Sequence, residues 1–319
     1  MTATRSYGEK LPGHLEAGLA TIQWTDGVLP QLVPGTGDAP PPEAELFHSG
    51  ELVDGKYEVR CVLGAGGMGQ VFEARDVGLN RIVAIKVAWG HIGADPLRRE
   101  AQVLAAFRHP GLPTVHALGS HDGHEFLVME RLNGQTLAEL LGARRGAALP
   151  IAECLELLDG ICEALAPLHA SGLAHADLKP ANIMVVPGGR IVLLDFGIAR
   201  IEQLRVGGKR ISGSPHYMAS EAIRGVVRVG VAHLVDLYAL GVIAFVLLTG
   251  APPFDHASPV ELMLLHLHEE PPRLAARRAD VPATLDALVA QLLAKESDDR
   301  PADLEVARSE LRRIRQRLA

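Results

Sequence analysis

Cysteine is scarce in this chain of 319 residues: Cys61, Cys154 and Cys162 are its three. An odd, sparse set without metal-ligand spacing argues against a disulfide framework and predicts buried free thiols in a reducing compartment. Long apolar runs are also missing. The longest, LYALGVIAFVLL from Leu237 to Leu248, falls well short of the ~20 residues that span a bilayer, and reads as a buried core helix. The opening MTATRSYGEKLPGH has no apolar core of the kind a secretory signal carries. These absences predict a cytoplasmic protein without a membrane segment. Positive charge is not in excess either. A formal net charge of −7 argues against nucleic acid or an anionic membrane as a general partner. Lysine is rare, six against twenty-five arginines. What is present is an ordinary globular balance, 48% hydrophobic and 22% charged.

Residues 1–50 differ from the rest. GTGDAPPPEAE is rich in Pro, Gly and acid, so this stretch is expected to be a flexible segment. Within it, LATIQWTDGVLPQLV is apolar enough to pack as a strand or short helix. From Tyr57 onward YEVRCVLG, QVFEARD and RIVAIKVA alternate as antiparallel strands, the last two joined by a turn at Gly78–Asn80. PLRREAQVLAAF spaces Leu97, Ala101, Leu104 and Ala105 as a helix does, and HEFLVMERL reads as a further strand. After Asn133 the pattern turns helical, in TLAELLGARR and AECLELLDGICEALAPLHASG. The outline is a strand-rich lobe with one helix, residues 51–132, followed by a larger helical lobe, residues 133–319.

Gly64, Gly66 and Gly69 fit G-x-G-x-x-G. Dinucleotide folds use the same spacing, but there the glycines open a helix. Here a strand follows, QVFEA. A strand–glycine loop–strand can close over a nucleotide and offer N–H groups to its phosphates; a plain hairpin turn is the alternative. Lys86, on the next strand, can meet phosphate oxygens as a point charge. Glu100 on the following helix is its candidate partner. A solvated strand lysine is the bland alternative. Downstream, His175-Ala176-Asp177-Leu178-Lys179-Pro180-Ala181-Asn182 follows a helix, and Asp195-Phe196-Gly197 follows the strand RIVLLD.

Taken in order, GAGGMGQV, AIK, the helix glutamate, H-x-D-x-K-x-x-N, DFG, GSPHYMASE and DDRP resemble the eukaryotic-like (Hanks-type) protein kinases over roughly residues 57 to 310. GGMGQVFEA and DFGIAR are most similar to bacterial members, and the Arg-rich composition fits a GC-rich bacterial genome. The resemblance implies an α+β bilobal kinase fold, with a small antiparallel sheet lobe and a larger, mostly helical one. It implies ATP and Mg²⁺, with Mn²⁺ as a substitute, and protein Ser/Thr hydroxyls as acceptors. Lys86 would hold the α- and β-phosphates and pair with Glu100, Asp177 would accept or orient the substrate hydroxyl, and Lys179 would steady the γ-phosphate. Asn182 and Asp195 would hold the metal, since hard cations take oxygen ligands. Leu63, Gly64, Gly66, Gly69, Val71, Ala84 and Met129 would line the nucleotide, and the backbone of Glu130 and Leu132 would meet the adenine edge. Lys179 after Asp177 is the Ser/Thr-type pattern, and Ser214 takes the place of the family's substrate-side Thr.

Other residues match supporting roles. Glu221 and Arg300 match a buried ion pair under the substrate platform. Asp236 matches a carboxylate that accepts from the catalytic-loop backbone. Leu104, His175 and Phe196 match an internal stack between the lobes. His121 with His124, and His266 with His268, invite a metal reading, but the sequence supplies no Cys or clustered acid to complete one. Two departures stand out. Ala176 replaces the usual Arg, which in relatives pairs with a phosphate on the activation segment. Ser220 replaces the usual Pro. Residues 195–221 hold no Thr, and only Ser212, Ser214 and Ser220 offer hydroxyls of that class. The expectation is an active kinase not controlled by conventional activation-segment phosphorylation. The alternative is a pseudokinase or scaffold that binds nucleotide without turnover. A homodimer or a regulatory partner is compatible with either; Thr2, Thr4 and Ser6 are candidates for self-modification.

Overall fold

The structure, a computed structural model, describes residues 45–66, 69–89, 95–196, 214–228 and 230–318. The expectations for Thr2, Thr4, Ser6, the LATIQWTDGVLPQLV stretch, Gly197 and Ser212 lie outside them.

The alternating segments form one antiparallel sheet. Its strands are β1 (Leu52–Val53), β2 (Tyr57–Gly66), β3 (Gly69–Asp76), β4 (Arg81–Ala88), β5 (Val115–His121) and β6 (His124–Glu130), in the order β1-β2-β3-β4-β6-β5. β3 and β4 pair without a slip from Gly69↔Ala88 to Asp76↔Arg81. Asn80 closes that hairpin at φ 50°, a conformation asparagine tolerates better than most residues. Period-two alternation then divides the sheet's residues between two faces. Phe72, Ala74, Val83, Ile85, Val87, Phe126 and Val128 build one buried face. Val71, Lys86 and Leu127 form one cross-strand row, and Glu73, Ala84 and Met129 another. Helix α1 (Asp95–Ala106) packs with Leu97 and Ala101 on Leu127. Ala105, expected on that buried stripe, is exposed; it falls on the outer side of the last turn.

Phe47, within the segment expected to be flexible, is 1% exposed. Its ring packs on Phe72 at 5.6 Å and on Phe126 at 6.5 Å between centroids. The apolar sheet face requires a cover, and the residues just before β1 supply it. Cys61 also departs from expectation. Cys154 and Cys162 are buried, and burial pushes both thiols up to about 12, but Cys61 is exposed. It sits where the side chains of β2 turn to solvent.

The large lobe is helical. It comprises α2 (Leu137–Ala143), α3 (Ile151–Ala170), α4 (Ser220–Arg224), α5 (Leu234–Thr249), α6 (Pro259–His268), α7 (Leu274–Arg277), α8 (Ala283–Leu292) and α9 (Leu304–Leu318). A small sheet, β7 (Gln135–Thr136), β8 (Ile183–Val185) and β9 (Ile191–Leu193), carries the loops between α3 and α4. Helix α2 starts on a capping box, with Thr136 Oγ1 accepting from Glu139 N–H and Glu139 accepting from Thr136 N–H at 2.7 Å. Helix α5 is buried along nearly its whole length, so the longest apolar run is its core helix. Arg308 and Arg312 bind Asp159 at 2.8 and 2.9 Å, which staples α9 to α3. Among the described residues no helix is long and apolar enough to cross a membrane.

Candidate active site

Strand β4 aims Lys86 at the same side of the sheet as Val71, because the two residues are direct cross-strand partners. Helix α1 presents Glu100 to that side. The Lys86 ammonium lies 2.8 and 2.6 Å from the two Glu100 carboxylate oxygens. It also lies 2.6 Å from Asp195 Oδ1, which comes from the large lobe just after β9. Lys86 and Glu100 are buried, whereas the Asp195 side chain is 48% exposed. Burial opposes the Lys86 charge, yet Asp195 and Glu100 outweigh it and hold its pKa above the ordinary value. The Lys86 charge holds Asp195 below the usual carboxylate range, and Lys179 adds to this. Burial pushes Glu100 up, with Lys86 opposing.

The loop between α3 and β8 carries the second group. Lys179 Nζ donates to Asp177 Oδ2 at 2.8 Å. Asn182 Nδ2 donates to the Asp177 carbonyl at 2.9 Å and to Asp177 Oδ2 at 3.0 Å. Those two bonds use both amide hydrogens and turn Asn182 Oδ1 to the other side of the group. The loop is tied to the Asp195 strand, since Leu194 N–H donates to the Asn182 carbonyl at 2.8 Å.

A buried carboxylate holds this loop in shape. Asp236, in the first turn of α5, accepts from His175 N–H at 2.8 Å and Ala176 N–H at 2.9 Å. It also lies 2.8 Å from His169 Nε2. Burial alone would raise Asp236, but His169 and the backbone donors reverse that and lower it. Ala176 sits at φ 63° and Asp195 at φ 53°. Non-glycine residues hold this left-handed conformation when their surroundings over-determine it; at Ala176 the Asp236 carboxylate does so. His175 is fully buried. Its Nε2 lies 3.0 Å from the Leu194 carbonyl and its ring 4.9 Å from that of Phe196. Burial lowers its pKa, so it packs as the neutral form. Leu104 and Phe196 share the large core cluster.

Under the platform that opens at Ser214, Arg300 meets Glu221 in a two-pronged pair at 2.6 and 2.8 Å. Ser220, where the resemblance has proline, is 1% exposed, and its hydroxyl donates to the Lys295 carbonyl at 2.5 Å. Serine therefore packs this corner by a hydrogen bond that proline lacks the group to make. Burial closes Ser220 to modification.

The remaining candidates lie on or next to the strands of the small lobe. Gly64 and Gly66 lie at the end of β2, with Leu63 39% exposed beside them, and Gly69 and Val71 open β3. Ala84 pairs with Met129 on the neighbouring strand, and Glu130 and Leu132 follow on and after β6. Three contacts escaped the sequence reading. His169 joins Asp236 across 67 residues, Arg131 reaches Glu73 at 3.1 Å, and Trp89 reaches Gly66. None has a periodic or motif signature. Glu51 and Asp122 do cluster with His121, acids that the sequence alone did not bring there. Asp54 N–H donates to His121 Nδ1 at 3.2 Å, and His121 Nε2 lies 3.3 Å from Glu51.

The protein kinase domain family matches residues 57–311. The chain is 35% identical over 285 residues to the serine/threonine-protein kinase pkn3 of Myxococcus xanthus, covering 84% of this chain and 51% of that protein. It is 35% identical over 274 residues to PknB of Mycobacterium tuberculosis, covering 81% and 43%. It is 34% identical over 272 residues to PrkC of Bacillus subtilis, covering 81% and 41%. The chain thus spans about half the length, or less, of these curated relatives. The crystal structure of the Mycobacterium tuberculosis PknI kinase domain superposes with a TM-score of 0.66 at 30% identity, over 84% of this chain and 99% of that one. With its curled antiparallel lobe, helical lobe and ordered motifs, this chain belongs to the Hanks-type bacterial serine/threonine protein kinase family.

Proposed function

We propose that the chain transfers the γ-phosphoryl group of Mg-ATP to Ser or Thr hydroxyls of a protein. One observation carries the reading: Lys86 bridges buried Glu100 and cleft-facing Asp195 across the two lobes. Such a cation meets phosphate on one side while its buried partner holds it in place. Phosphoryl transfer has a loose transition state, so catalysis is mostly positioning and charge stabilisation. Asp177 would take or orient the acceptor hydroxyl, and Lys179 beside it would steady the transferred group. Backbone N–H groups of the loop from Gly64 to Gly69 would cradle the phosphates, against Val71, Ala84 and Met129.

Asn182 and Asp195 fit a divalent ion: a carboxylate half-open to solvent and an amide whose nitrogen is already committed both offer hard oxygen. Mg²⁺, or Mn²⁺ in its place, would supply charge neutralisation to the β- and γ-phosphates when bound.

Ala176 has no side chain to pair with an activation-segment phosphate; its N–H donates to Asp236, as the family's backbone does at this position. The activity therefore does not depend on phosphorylation of that segment in the conventional way. Control by a partner or a second copy, and a cytoplasmic setting where Mg-ATP is available, belong to the same reading.

The test is transfer of labelled γ-phosphate to the protein itself and to a generic basic protein. Label in the wild type that vanishes in Asp177→Asn is the expected result, and phosphatase pretreatment should leave the rate unchanged. No label with either metal alongside intact nucleotide binding would favour a non-catalytic scaffold.

A further inference from the structure

The end of β4 grips the glycine-rich loop from beside it. Gly66 and Gly69 pair with each other across the loop, and Gly69 pairs in turn with Ala88. Gly69 lies so close to β4 that a Cβ there would stand 1.8 Å from the Val87 carbonyl oxygen. No side chain fits, and the returning limb of the loop rests directly on the strand. One residue beyond β4, the indole Nε1 of Trp89 donates to the Gly66 carbonyl at 2.7 Å. That bond passes from β4 to β2, over the intervening β3.

We propose that Trp89 is a positioning residue for the nucleotide loop, tethering the Gly66 carbonyl to the strand that carries Lys86. The inference rests on reading this cleft as a nucleotide site. An indole has one donor and no acceptor. Spent on Gly66, that donor fixes the plane of a peptide group in the loop, because the peptide unit is rigid. Lys86 lies three residues earlier on the same extended run, so at ~3.3 Å per residue the two anchors stand about 10 Å apart. One rigid strand then sets both the lysine and the loop. Without the tether the Gly66 carbonyl must be set in place by the nucleotide itself, which weakens binding. A tryptophan that merely covered the sheet end would need its ring and not its N–H.

Trp89→Phe separates the two, since it keeps the ring and deletes the donor. The dissociation constant of Mg-ADP and the KM for Mg-ATP should each rise about fivefold, the scale of one net hydrogen bond. The change in kcat should be smaller, and the KM for a generic basic protein should not follow. A second readout uses the chain's own fluorescence. The sequence has two tryptophans, so in Trp24→Phe the emission comes from Trp89 alone and should change when Mg-ADP is added. Equal nucleotide affinity in wild type and Trp89→Phe at matched melting temperature would overturn the tether. So would a Trp89 emission indifferent to Mg-ADP, which decides the matter even where Trp89→Phe folds poorly. A wild type that binds no Mg-ADP would overturn the nucleotide-site reading, and the tether with it.

Discussion

Lys86 and Arg300 are both buried cations, and each lies 2.6 Å from a carboxylate oxygen. Their surroundings differ. Arg300 spends its guanidinium entirely within the large lobe. It makes the two-pronged pair with Glu221 and donates to the carbonyls of Leu234, Ala294 and Lys295 at 2.8, 2.9 and 3.2 Å. Its guanidinium also lies 5.0 Å from the centre of the Tyr238 ring. Every donor direction is used by the fold, which is why arginine, with its fixed fork, suits the position. Lys86 has one partner sealed in the small lobe and one, Asp195, half-open to solvent. A cation satisfied on all sides is a structural rivet. A cation with one solvent-facing partner can exchange that partner for a ligand.

The largest effect should follow from removing the exchangeable cation. Lys86→Met should lower phosphoryl transfer at least ~100-fold, as loss of one positioned charge on a developing anion does. Nucleotide titration and labelled transfer measure it. Arg300→Met should act on stability instead. Stranding Glu221 and three carbonyls should cost about 3–5 kcal/mol, read from the denaturant midpoint. If the folded fraction of Arg300→Met lost as much turnover as Lys86→Met, the distinction between rivet and exchangeable charge would fail.

A pH experiment sharpens the comparison on the rivet's side. His266, beneath the same platform, lies 2.7 Å from the Tyr238 hydroxyl. Burial, with Lys295 and His216 adding, pushes its pKa down to about 3 from an ordinary 6.5. Between those values the unfolded chain binds the proton and the folded chain does not. Stability therefore falls as pH drops below 6.5, by at most about 1.4 kcal/mol per unit from this group. His266→Asn keeps an acceptor for Tyr238 and should flatten that slope between about pH 6.5 and 5 in denaturant melts. An unchanged slope would mean that the group is solvated. Ser220→Ala should have the smallest effect, about 1 kcal/mol for the hydrogen bond to Lys295. A loss well above that would make the corner, and not Arg300, the main brace under Glu221.

Much of the candidate site is legible in the sequence alone. Alternation marked β2, β3, β4 and β6, and the strand after Gly69 separated this loop from a dinucleotide turn. Lys86 and Glu100 could be paired from motif order. Other features were not legible for reasons that residues make plain. Phe47 lies in a stretch whose composition argues for flexibility, and one aromatic ring reverses that locally by covering an apolar sheet face. Cys61 looked like any other apolar strand position, because alternation assigns two faces and cannot say which is buried. Ser220 stands in the sequence only as a departure from proline, because the Lys295 carbonyl its hydroxyl meets is 75 residues away.

The sequence by itself determined what is local: strand and helix periods, the capping box at Thr136, the glycine spacing and the run of chemical groups from His175 to Asn182. These signals depend on neighbours a few residues apart, within reach of one turn or one hairpin. Tertiary structure alone decided the pairings. Lys86 meets Asp195 across 109 residues, Ser220 meets Lys295 across 75 and Trp89 meets Gly66 across 23. A hydrogen bond of 2.5–2.9 Å demands a direction and a distance that only the closed chain can set.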